Sequence, residues 1–327
     1  MKIATYLPAK VYSNLDIEKD FPEWTATKIE EKVGIRQRHI ASENETALDL
    51  GYEAAKSVLQ TFDKDAVDFL LLCTQSPDYF LPTSACVLQE KLGLRKNIGA
   101  FDFNLGCSGF IYGLAIAKGF IKTGIASNIL LITSETYSKH MHPEDRANRS
   151  IFGDGAAATI IEKEDADKIL EFEIGTDGSG MNNLIVTNGA MRHPYDEQKT
   201  GVIDDGGNFF CANNLYMNGP EIFNFTIQSI PRVVQNVLLK NNLTMDQVDY
   251  FIFHQANKFM LEYLRKKIKI PQEKFYNNIL ETGNTVSATI PIALKDSVEK
   301  GLIHPGNKIM LVGFGVGYSW GATIFEY

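Results

Sequence analysis

Residues 106–135 read GCSGFIYGLAIAKGFIKTGIASNILLITSE, and residues 283–315 read GNTVSATIPIALKDSVEKGLIHPGNKIMLVGFG. Each opens on a glycine-led step. Each continues as a helical stretch with apolar residues three and four apart, reaches a lysine-bearing end and a glycine, and finishes as an apolar strand. A second pair of stretches precedes them. AVDFLLLCTQSPD begins at Ala66 and QVDYFIFHQANKF at Gln247, and both read as a buried strand after an acidic turn. Matching Val67 with Val248, Cys107 with Asn284 and Leu131 with Leu311 gives offsets of 181, 177 and 180 residues. A near-constant offset through several elements is the mark of an internal repeat. The chain therefore reads as two similar α/β halves, each alternating strands and helices around a mostly parallel sheet. The expected boundaries are 1–165 and 166–327. The stretch 162–218 is more polar and Gly/Asn-rich (GTDGSGMNN, DDGGNF) and reads as a connection whose loops cover the site.

Composition narrows the class. The 327 residues are 44% hydrophobic, enough for a sizeable core. A net charge of −8 argues against broad nucleic-acid binding. The four cysteines, at 73, 86, 107 and 211, have no metal-site spacing, and three lie in apolar runs. No signal-peptide pattern opens the sequence, and no apolar run has membrane-spanning length. The expectation is a soluble cytoplasmic protein, free of membrane and needing no metal or organic cofactor.

The repeat also gathers chemistry. It sets Cys107 and Asn284 at equivalent helix entries, and His254 at the end of the strand equivalent to the one ending at Cys73. Ligands of α/β sheets bind beyond the carboxyl ends of strands. Two such ends facing each other would unite Cys107, His254 and Asn284. Singly, each has a plainer reading: Cys107 as a core residue, His254 as a satisfied buried histidine, Asn284 as a helix cap. Their shared placement favours function. A cysteine at a helix start is expected to have a lowered pKa, and its thiolate attacks thioesters. A neutral imidazole N–H and an Asn amide can both donate to one enolate oxygen. GFGVG, from Gly313, is too short for a dinucleotide fingerprint but could line the site with backbone N–H groups. Arg265, Lys266 and Lys267 lie on a predicted helix after His254, which suits an acidic partner.

GCSGF around Cys107, FGDGA from Phe152, HQAN from His254, GNT from Gly283, Trp320–Ala322 and GIRQRHIA from Gly34 together resemble β-ketoacyl-acyl-carrier-protein synthase III, in order along the whole chain. The resemblance implies the thiolase fold, two duplicated halves in five αβαβα layers, and a homodimer. It implies that an acyl group passes from coenzyme A, a substrate here, to Cys107. Malonyl-ACP then loses CO₂ while His254 and Asn284 hold its thioester oxygen, and the carbanion attacks the acyl-cysteine to give a 3-oxoacyl-ACP. The oxyanion hole would be the N–H groups of Cys107 and Val316. Arg146, Trp24 and Asn257 would bind coenzyme A. Arg265, Lys266 and Lys267 would dock the carrier. Phe80 and Leu81 would shape the acyl pocket across the dimer. Four features depart from the family pattern: an extra helical turn between Trp24 and the GIR motif, Val316 within the usual triple glycine, Leu81 in place of the aromatic before Pro82 with Phe80 one residue earlier, and Phe259 where the docking helix often has an arginine. They leave a rival reading, an acyltransferase that passes the acyl group from Cys107 to an amine or alcohol.

Overall fold

In a computed structural model the described residues are 1–164, 167–203 and 208–327. Five strands form the first sheet: β1 (Lys2–Tyr6), β2 (Phe69–Cys73), β3 (Gly99–Phe103), β4 (Asn128–Glu135) and β5 (Gly155–Glu162), in the order β1-β5-β4-β2-β3. Four form the second: β6 (Ile169–Thr176), β7 (Tyr250–Phe253), β8 (Lys308–Gly315) and β9 (Ser319–Glu326), in the order β7-β8-β9-β6. An isolated parallel bridge, Phe251 to Phe275, continues the second sheet beyond β7, where β3 stands in the first.

The repeat read in the sequence is present in the register. Leu71 of β2 faces Leu131 of β4, and their counterparts Ile252 and Leu311 face each other in β7 and β8. Val67 and Val248 each follow a one-turn 3-10 helix that leads into the matching strand. The sheets are mixed rather than mostly parallel. β2 runs parallel to β3 and β4, and β7 to β8, but β5, β1, β9 and β6 are antiparallel to their neighbours. Connection length accounts for one of these pairs. Three residues join β8 to β9, too few for the helical crossover that a parallel return needs.

The segment read as a connection also differs. Its residues Ile169–Thr176 are β6, the edge strand of the second sheet. Residues 204–207, the DDGG of that stretch, and the boundary expected at 165/166 lie outside the described residues.

Helices complete five layers. α1 (Ala47–Val58) and α2 (Ser84–Lys91) cover the outer face of the first sheet. α3 (Gly109–Thr123) and α6 (Thr289–Glu299) lie between the sheets and touch both. α4 (Gly219–Lys240) packs on the outer face of the second sheet and carries α5 (Lys258–Ile268). Strands covered on both faces are apolar throughout, and all of β4 but its first residue is buried. On α3, Phe110, Ile111 and Leu114 are fully enclosed, each worth about 1.5–3 kcal/mol of burial. α3 stops at Gly124, whose φ of 75° a side chain would resist.

Candidate active site

The two central helices enter the interior from the carboxyl ends of the strands, and the site lies at those entries. Cys107 stands just before Ser108, the N-cap of α3, and is only 5% exposed. β8 comes so near that a Cβ on Gly315 would lie 2.8 Å from the Cys107 Sγ. The backbone N–H groups of Val316 and of Cys107 itself favour the charged form of that sulfur. These are the two donors expected to form the oxyanion hole.

His254 follows β7 directly, with its backbone N–H on the Val312 carbonyl of β8. Its ring meets Phe314 edge-on at 5.6 Å between centroids. Asn284 is fixed by its backbone on both sides: its N–H donates to Ile151 O, and its own carbonyl accepts from Gly153 N. The Asn284 Oδ1 accepts from the Val286 N–H at 2.9 Å. The side chain thus caps the turn before α6 with one end and presents Nδ2 with the other. That nitrogen lies 3.5 Å from His254 Nε2. Burial holds His254 neutral, with its pKa pulled down to about 3. The pair can therefore act as two neutral hydrogen-bonding groups aimed at one point.

The thiol does not follow the expectation. Burial, and after it the carboxylate of Glu135, push Cys107 up to about 12. Position near a helix N-terminus is outweighed because the sulfur is out of water and faces a negative charge. Sequence reasoning missed Glu135. It ends β4, is fully buried, and is itself raised to about 8 by burial. It accepts from Gln75 N, Ser76 Oγ and Ser287 Oγ at 3.0–3.2 Å. The available signal was an acid closing a strand with an apolar centre, NILLITSE. Gln75 and Tyr137 were missed as well. The buried Tyr137 hydroxyl donates to Gln75 Oε1 at 2.5 Å, and that oxygen lies 2.6 Å from where a Cβ on Gly106 would stand.

The peripheral residues divide. The Arg146 guanidinium lies 5.7 Å from the Trp24 ring centre despite the extra helical turn, and Lys28 and Lys32 stand over the same ring at 4.9 and 4.6 Å. Asn257 caps α5, its Oδ1 accepting from Met260 N. Arg265 is turned inward, held by Glu262 at 2.9 Å and donating to the Ile270 carbonyl. This leaves Lys266 and Lys267 as the outward charges of the three. Phe80 and Leu81 are 74% and 81% exposed in the single chain. A cleft of about 890 Å³ between residues 26–37 and the start of α5 is lined by Thr27, Lys258 and Phe259, not by the buried triad. Among the described residues no cluster of His, Cys, Asp and Glu could hold a metal ion. Among the described residues no helix is long and apolar enough to cross a membrane.

The fold is that of a thiolase-like condensing enzyme. The family description "3-Oxoacyl-[acyl-carrier-protein (ACP)] synthase III" matches residues 101–178, and that of its C-terminal part matches 238–327. The chain is 38% identical to the β-ketoacyl-[acyl-carrier-protein] synthase III of Fusobacterium nucleatum, covering 98% of this chain and 96% of that one. It is 36% identical to the enzyme of that name from Caldanaerobacter subterraneus, covering 99% and 96%. A crystal structure of a 3-oxoacyl-(acyl-carrier-protein) synthase III superposes with a TM-score of 0.98 at 46% identity, covering 99% of this chain and 98% of that one. One from Burkholderia xenovorans gives 0.91 at 35%, covering 99% and 92%. The chain belongs to the 3-oxoacyl-acyl-carrier-protein synthase III family.

Proposed function

We propose that this protein, a condensing acyltransferase of fatty acid biosynthesis, takes an acyl group from an acyl-CoA onto Cys107 and condenses it with malonyl-ACP. Cys107 S–H adds to the thioester, coenzyme A leaves with the proton, and acyl-Cys107 remains. The malonyl C–CO₂⁻ bond then breaks. Its electron pair passes into the thioester as an enolate, whose oxygen is held by His254 Nε2–H and Asn284 Nδ2. The enolate carbon attacks acyl-Cys107. The N–H groups of Cys107 and Val316 receive the tetrahedral oxyanion, and the thiolate leaves and is reprotonated. The products are 3-oxoacyl-ACP and CO₂.

The observation that carries this reading is the buried meeting of Asn284 Nδ2 and His254 Nε2 behind matched strand ends. Trp24 and Arg146, whose guanidinium lies 5.7 Å from the ring centre, are the groups for the coenzyme A base, and Asn257 is a further contact for coenzyme A. Lys266 and Lys267 are the charges for the carrier. Phe80 and Leu81, apolar and exposed, suit burial against a second copy whose acyl pocket they complete, so the working unit is a homodimer. The two halves divide near residue 165, between the last strand of one sheet and the first of the other.

The half-reactions test the roles. His254→Ala and Asn284→Ala should each cut malonyl decarboxylation by about 10²–10³ while sparing acylation of Cys107 more. Decarboxylation at the parent rate in both would refute the assignment.

A further inference from the structure

An imidazole that must donate from Nε2 needs its proton kept there, and a neutral ring can carry it on either nitrogen. The buried environment of His254 decides between them. Its Nδ1 meets the Thr289 hydroxyl at 2.7 Å and, among the described residues, no other polar partner. Thr289 is 2% exposed, at the first position of α6. Its hydroxyl carries one hydrogen and has two acceptors in reach: His254 Nδ1 at 2.7 Å and the Val286 carbonyl at 3.0 Å.

The two acceptors are not equally in need. The Val286 carbonyl already takes the backbone N–H of Thr289. His254 Nδ1, if bare, has only the hydroxyl. A buried acceptor left unpaired costs about 1–3 kcal/mol, whereas a carbonyl that already has one bond loses little. With the ring proton on Nε2, as the donor role of His254 requires, the hydroxyl hydrogen therefore goes to Nδ1. Val286 holds a φ of 55°, a sparsely populated conformation for a β-branched residue, in the turn that sets its carbonyl near Thr289. Asn284 reinforces the turn by accepting the Val286 N–H. One short segment thus orients both donors of the proposed enolate site.

We infer that Thr289 is a positioning residue that donates its hydroxyl hydrogen to His254 Nδ1 and so fixes the Nε2–H tautomer required for malonyl decarboxylation. This rests on the role of His254 proposed above. In that tautomer the 3.5 Å approach of Asn284 Nδ2 to His254 Nε2 is two donors side by side, converging on one oxygen. The reversed hydroxyl would leave Nε2 bare and turn one of the two donors into an acceptor.

The test uses the full chain labelled with ¹⁵N-histidine, with the His254 signal assigned by its loss in His254→Ala. The parent protein and Thr289→Ser should show the proton on Nε2 and a bare Nδ1. Thr289→Val, equal in shape but without the hydroxyl, should lose that single pattern. It should also lower the turnover of malonyl-ACP decarboxylation by about 10- to 100-fold with KM little changed, and Thr289→Ser should restore it. A proton on Nδ1 in the parent protein overturns the inference, and that spectrum decides even if Thr289→Val does not fold. Parent-like turnover in Thr289→Val, with His254→Ala inactive, overturns the inference alone. Parent-like decarboxylation in His254→Ala overturns the reading beneath it.

Discussion

In the proposed reaction Cys107 is the nucleophile, yet its resting state is a thiol held well above the ordinary range. After burial, the largest cause is the Glu135 carboxylate. Glu135→Gln removes that charge and keeps much of the shape. The Cys107 pKa should fall, and alkylation of the thiol should rise at lower pH than in the parent protein; an unchanged alkylation profile would show that Glu135 does not act on the sulfur. The placement of Cys107 and Asn284 was legible because they fall at equivalent helix entries of a visible repeat, and that of His254 because it ends a matched strand. Glu135, Gln75 and Tyr137 were not, since their significance comes from partners distant in sequence, such as Ser287 and the approach to Gly106. Asn284 shows how a structural and a functional reading can both hold. Its oxygen caps a turn while its nitrogen stays available.

Secondary elements set the spacing. β8 runs against the entry to α3 so closely that Gly315 has no room for a side chain: a Cβ would lie 2.8 Å from Sγ and 2.9 Å from Cβ of Cys107. Gly315→Ala must push the nucleophile aside or lift the strand, at a cost of about 1–3 kcal/mol. The expected result is loss of Cys107 acylation by at least about ten-fold with the fold retained by circular dichroism. Undiminished acylation would mean that the strand yields freely. At this scale the sequence was legible where apolar runs were long and periodic, as in α3, β4 and β8. It was less so where pairing was decided elsewhere. β6 mixes partly buried with exposed residues and buries none fully, and only its pairing with β9 makes it part of a sheet. The antiparallel strands were hidden for the same reason, since direction is set by the partner strand rather than by local composition.

Across the whole molecule, two buried titrating groups oppose each other. Unfolded glutamate loses its proton near pH 4.5, whereas Glu135 keeps it to about pH 8. Its contribution to stability therefore declines as pH rises from about 4.5 to 8. His254 accepts a proton below about pH 6.5 when unfolded but only near pH 3 when folded, so its contribution declines as pH falls through that window. Between pH 6.5 and 8 the Glu135 effect should prevail between the two, and the melting temperature of Glu135→Gln should fall less with pH than that of the parent. Equal slopes would place the Glu135 proton elsewhere. Assembly is a property of the same scale. Tyr79, Phe80 and Leu81 are each at least 60% exposed, more apolar surface than one short loop ordinarily leaves in water. Light scattering should give the mass of two chains, and Leu81→Asp should shift it toward one; a monomeric parent would contradict the dimer.

Most direct is the intact mass of the protein after incubation with acyl-CoAs of graded length, beside Cys107→Ser. One acyl group on the parent protein and none on the variant is the predicted result, and the favoured chain length identifies the primer. An adduct of equal yield on Cys107→Ser, or none on the parent with any acyl-CoA, would contradict the account that Cys107 receives its acyl group from coenzyme A.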